Sequence, residues 1–133
     1  MLTWLSQYRD LGLLFLRAGI GVMMVFHGFP KLAGGLALWE KLGKAMAHLG
    51  ITFAPGFWGF ASAMTETLGG VLLVLGLCFR PVTILLSFNF VVATLMLYRG
   101  GSSFTEWSRP AEMLVLFLSL ILIGAGKYSI DRA

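Results

Sequence analysis

The chain has little of what a water-soluble enzyme needs. Only 12% of its 133 residues are charged, against 58% hydrophobic, and the mean hydropathy is +0.86. That composition cannot clothe a soluble domain in polar surface, so a membrane protein is expected. Cysteine occurs once, at Cys78, which excludes an intrachain disulfide, a Cys-x-x-Cys pair and a thiolate metal cage. The residue reads as a small apolar filler near a helix end. With only two histidines, His27 and His48, no haem or metal site is expected. The net charge of +4 forms no block of like sign. No nucleic-acid partner is therefore expected, and the scattered charge suits anionic lipid headgroups. The first apolar run is too long for a signal-peptide core and no small-residue cleavage site follows it, so it should be retained. No repeat, low-complexity tract or soluble domain is visible, and residues 1–133 read as one domain.

What is present is long apolar sequence. A bilayer core about 30 Å thick needs about 20 residues of helix. Stretches at about 11–29, 57–79, 82–98 and 111–125 qualify. The expected fold is all-α: an integral membrane four-helix transmembrane bundle. "CFRP", ending at Pro81, calls for a tight hairpin between the second and third crossings. Between the first and second, "LALWEKLGKAMAHL" sets Leu38, Leu42, Ala45 and Leu49 opposite Glu40, Lys41 and Lys44. That pattern predicts an amphipathic helix lying at the interface. Residues 99–110 read as an exposed loop. An even number of crossings puts both termini on one side, but Lys and Arg are too evenly divided between the sides to set the orientation.

Arg17 and Glu66 lie within the apolar stretches, where an ionised group costs several kcal/mol unless paired or wetted. Counting from the helix ends puts Glu66 roughly 14 Å and Arg17 about 18 Å below the same surface. An Arg17–Glu66 pair at the midplane is therefore expected. Arg17, Gly21, Met24, Gly28 and Lys31 repeat on one face of the first helix, and Ser62, Glu66, Gly69 and Gly70 on one face of the second. Small residues there let backbones approach. Ser87 with Thr94, and Glu112 with Ser119 and Gly126, recur at seven-residue spacing, and all these faces are expected to point inward. In "FHGFPKL", His27 and Lys31 end the first crossing on the side where Glu112 begins the fourth. Arg17, His27, Lys31, Glu66 and Glu112 then form a candidate polar pocket with two levels. A polar-headed ligand would suit it; a structural His27–Glu112 bond and a snorkelling Lys31 are the plainer alternative.

With these residues in view, the chain resembles the DoxX family of small four-helix membrane proteins. The likeness rests on "LRAGIGVMMVFHGFPKL", "ETLGGVLLVLGLCFRP", Glu112 and the terminal "GAGKYSID". The family's recurrent polar positions match Arg17, His27, Gly28, Lys31, Glu66, Gly69, Gly70, Arg80, Glu112 and Asp131. Relatives include the large subunit of a thiosulfate:quinone oxidoreductase. The resemblance thus implies a multi-pass protein of the bacterial inner membrane doing redox work, with quinone as the cofactor and a redox protein as partner; further copies are the expected partners of a carrier, because four short helices enclose little volume alone. The resemblance brings no catalytic assignment.

Three functions follow as expectations. The first is the membrane subunit of a quinone-linked oxidoreductase complex. It has no intrinsic cofactor motif, so electrons would come from a partner. The second is a small-molecule carrier or channel. The third is a non-catalytic membrane scaffold for a redox partner.

Overall fold

The computed structural model describes residues 1–132, and among them every regular element is helical. A 3₁₀ segment, Thr3–Tyr8, leads into α1 (Arg9–Ala33). Then come α2 (Gly35–Gly43), a second 3₁₀ segment (Lys44–Leu49), α3 (Pro55–Leu75), α4 (Phe79–Arg99) and α5 (Phe104–Ile123). Thr3–Ala33, Pro55–Leu75 and Phe79–Arg99 are long and apolar enough to cross a membrane. α5 has 20 residues but carries Glu106, Arg109 and Glu112 in its first half, so its purely apolar stretch is shorter than the other three.

The outer surface is apolar. Phe15 and Leu122 are 84% and 83% exposed, and Phe26, Leu68, Ile84 and Val115 also face outward. Side chains of that kind find a favourable neighbour in lipid and none in water.

α1 and α3 pack antiparallel through their small residues. A Cβ on Gly21 would lie 2.5 Å from the Gly70 carbonyl oxygen, and one on Gly28 would lie 2.6 Å from the Thr67 nitrogen. Only glycine permits that approach. α4 and α5 form a second antiparallel pair, with Phe90 stacked on Phe117 at 5.6 Å and the Arg80 side chain donating to the Ile121 carbonyl at 2.9 Å. Met24, Leu73, Phe79, Val82, Leu86, Phe117, Leu120 and Ala125 make the common core.

Several boundaries differ from those expected. α1 continues through Pro30 to Ala33, because a proline costs a helix one hydrogen bond without necessarily ending it. α3 stops at Leu75, where Gly76 is left-handed (φ 68°), and α4 already begins at Phe79 with Pro81 in its first turn, a position proline tolerates. Residues 104–110 are helical, so the loop before α5 is only 100–103.

α2 is short and packs on the start of α3. A Cβ on Gly43 would overlap the Pro55 carbonyl oxygen, and one on Gly59 the Trp39 carbonyl oxygen. Trp39 Nε1 donates to the Lys31 carbonyl at 3.0 Å, and Arg99 Nη1 to the His48 carbonyl at 2.9 Å. The first turns of α3 are therefore sheathed by α2, and α1 meets α3 further along.

The tail after α5 folds back onto the α3–α4 turn. Ile130 and Asp131 donate their amides to the Leu75 and Gly76 carbonyls at 3.1 and 3.0 Å. The Asp131 carboxylate accepts the Cys78 and Phe79 amides at 3.1 and 2.7 Å, capping α4 from outside the helix.

Candidate functional site

The site grows from the close approach of α1 and α3. Gly28 lets the α1 backbone sit against Thr67 and Glu66, which puts Lys31, one turn later, beside the Glu66 carboxylate. Lys31 Nζ donates to both carboxylate oxygens, at 3.1 and 3.0 Å. From α4, Asn89 Nδ2 donates to Oε1 at 2.9 Å, while the Ser62 hydroxyl donates to Asn89 Oδ1 at 2.6 Å. This fixes the amide orientation, since one end must accept and the other donate. Glu66 is 7% exposed and Lys31 36%, and theirs is the one ion pair among the described residues. The buried carboxylate of α3 is thus held from two other helices, α1 and α4, which satisfies the requirement that intramembrane charges be paired.

Two cavities meet at this pair. One, about 280 Å³, lies between the Lys44–Leu49 segment, α3 and α4, and is lined by Lys31, Met46, Trp58, Ser62, Glu66 and Asn89, with Leu85, Phe88 and Met96. Trp58 Nε1 is buried and has no hydrogen-bond partner. The other, about 410 Å³, lies between α1 and α5, with Ile20, Met23, Met24, His27, Lys31, Glu66, Phe90, Arg109 and Met113 in its wall.

Of the five candidate residues, Lys31, Glu66 and His27 come together, with His27 on the wall of the second cavity. Arg17 does not join them, and the expected Arg17–Glu66 pair is absent. Arg17 is 1% exposed and donates to the Leu73, Val74 and Tyr128 carbonyls at 3.1, 3.0 and 2.6 Å. Its guanidinium binds carbonyls at the C-terminal end of α3 and pins the tail, while its own Nε is buried without a partner. The expectation had aligned the end of the first helix with the start of the second. Because α2 covers the start of α3, the true register is displaced by about two helical turns, carrying Arg17 to the far end of α3.

Glu112 is exposed and lines neither cavity. The inward side of α5 is Met113, Phe117 and Leu120, so the Glu112–Ser119 stripe faces out. Nor does His27 bond Glu112. The hydroxyls of the stripes expected to face inward mostly satisfy their own helix: Ser87, Thr94 and Ser119, like Thr83 beside them, each bond the carbonyl four residues back. Ser62 alone crosses between helices, to Asn89.

The residues missed were Asn89, Trp58 and Arg109. Asn89, the sole asparagine, interrupts the apolar run "TILLSFNFVVATLMLY", and an amide at that depth is a signal the same burial argument could have used. Trp58 and Arg109 sit near helix ends, where such residues are common.

Among the described residues no group of His, Cys, Asp or Glu could hold a metal ion. Comparison with curated proteins and with solved structures gives no match. The DoxX family model matches residues 12–99, from the first turn of α1 to the end of α4. Glu112 and "GAGKYSID" lie beyond that match, but both cavities and the Lys31–Glu66–Asn89 network are built mainly from residues within it. The match covers well over half of the sequence and its apolar helices are those of a multi-pass membrane protein: the chain belongs to the DoxX family.

Proposed function

We propose that the chain is the membrane subunit of a quinone-linked oxidoreductase complex, with the quinone head seated in the cavity between Lys44–Leu49, α3 and α4. The observation that carries this reading is the unpartnered indole N–H of Trp58 on a cavity that also holds Lys31, Ser62, Glu66 and Asn89. A buried donor without an acceptor is costly, and a quinone carbonyl is an acceptor that brings no competing donor. Leu85, Phe88 and Met96 offer the apolar slot an isoprenoid tail requires. A bound quinone would carry electrons and protons together. The chain's part is to orient the head through Trp58 and Lys31 and to hold a proton-exchanging carboxyl, Glu66, beside it. Electrons enter from a partner protein in this reading. Glu112, exposed on α5, is the charged group on the outer wall that a partner or a second copy would meet.

The reading includes α5 as a fourth crossing, α2 with Lys44–Leu49 lying at the interface, and the bacterial inner membrane as the location. The first two agree with the outward apolar side chains of α5 and with the charged Glu40, Lys41 and Lys44 on the outer side of the α2 segment; the location rests on the family resemblance alone.

Mass spectrometry of gently extracted protein should find co-purified quinone. Titration with decylubiquinone should show Trp58→Phe, which keeps the ring and loses the donor, binding about tenfold more weakly. Absence of quinone together with unaltered binding by Trp58→Phe and Glu66→Gln would reject the proposal. A carrier function is the second reading, favoured by the meeting of two cavities at one ion pair. Solute flux in reconstituted vesicles, lost in Lys31→Met, would support it.

A further inference from the structure

The cavity between α1 and α5 has a different character from the one assigned to the quinone head. Its wall carries three basic side chains, His27, Lys31 and Arg109, against one carboxylate, Glu66. Lys31 is already matched by Glu66. The side chains of His27 and Arg109 have no hydrogen-bond or ion-pair partner among the described residues. Glu106 and Glu112 lie one turn to either side of Arg109 on α5, but both are outside the cavity wall and beyond ion-pair distance. Within the wall, Arg109 is therefore an unmatched cation and His27 an unpaired ring beside it.

Its depth is graded. His27 lies six residues from the end of α1 and Arg109 five from the start of α5, so both are on the order of 7–9 Å inside their helix ends. With the helix ends at the membrane surface, that depth is the zone where headgroups give way to acyl chains. Met24 and Ile20 lie one and two turns deeper on α1, Met113 one turn deeper on α5, and Phe90 faces them from α4. The walls pass from basic to apolar in the direction of the membrane interior, and the three methionines adapt to a flexible chain.

We infer that this cavity binds an amphipathic anion from the bilayer, its carboxylate or phosphate head held by Arg109 and His27 and its acyl chain laid along Ile20, Met24, Phe90 and Met113. The head chemistry is shared by a free fatty acid and an anionic phospholipid. The cavity shares Lys31 and Glu66 with the one assigned to the quinone head, but the head contacts assigned here, Arg109 and His27, line this cavity and not the other.

The test uses the full chain in phosphatidylcholine nanodiscs, titrated with oleate, phosphatidylglycerol or oleyl alcohol and read by native mass spectrometry. At least one of the two anions should bind about tenfold or more tightly than the alcohol, and the arm that does identifies the source. Arg109→Gln should weaken that binding about tenfold, with partial recovery in Arg109→Lys. Lys44→Gln, which removes a charge on the same side but outside the cavity, should leave it unchanged. Equal binding of oleyl alcohol, no binding of either anion, or undiminished binding by Arg109→Gln overturns the inference. Decylubiquinone titrated on the same samples reports the other cavity, so either proposal can fail while the other stands.

Discussion

Arg17 and Lys31 lie on one stripe of α1, yet they are partnered in opposite ways: Lys31 by a carboxylate, Arg17 by three carbonyls that leave its Nε unpaired. Helical spacing put both on one inward face, and the cost of a buried charge demanded a partner for Arg17; both do find partners inside the bundle. What neither could supply was the kind of partner, because a guanidinium with five donors is served as well by helix-end carbonyls as by an acid. Lys31→Met leaves the buried Glu66 carboxylate with Asn89 alone. The expected cost is about 2 kcal/mol, below the usual figure for a broken buried pair because Lys31 is a third exposed. The double variant Lys31→Met/Glu66→Gln should recover most of that loss, as measured by thermal unfolding in detergent. A double variant no more stable than the single would mean that the pair is not coupled.

At the scale of elements, some glycines meet a neighbouring backbone, some meet only side chains, and some meet nothing. Gly59 meets the Trp39 carbonyl and sets how closely α2 lies on α3; Gly19 has open space around it. Gly59→Ala should lower stability by about 2 kcal/mol or more and loosen α2, whereas Gly19→Ala should be neutral or slightly stabilising. Protease accessibility of residues 44–54 and the midpoint of unfolding check both. Gly21, Gly28, Gly69 and Gly70 were legible in the sequence as a packing face because small residues recur there at helical spacing. The register between α1 and α3 was not legible, because it depends on α2 occupying the first turns of α3. The face of α5 was misread for a related reason. Polar residues were taken to mark the interior, but Phe117 and Leu120 fill it and Glu112 faces outward.

For the molecule as a whole, α1, α3 and α4 make successive antiparallel passes, which puts Cys78 and residues 127–132 at one end and Lys41 and Ser102 at the other. An impermeant maleimide applied to one face of oriented vesicles should label Cys78 and, in a Cys78→Ser background, Lys127→Cys. Lys41→Cys and Ser102→Cys should label only from the opposite face. Labelling of Ser102→Cys and Lys127→Cys from the same face would show that α5 does not cross. The bond from Arg17 to the Tyr128 carbonyl joins positions 111 residues apart. A ribosome must therefore finish nearly all of the described chain before the guanidinium in the first helix has its last acceptor. Entry of α1 into the bilayer and final locking of the bundle are thus separate events in time, and synthesis interrupted after α3 would leave the cation with the Leu73 and Val74 carbonyls alone.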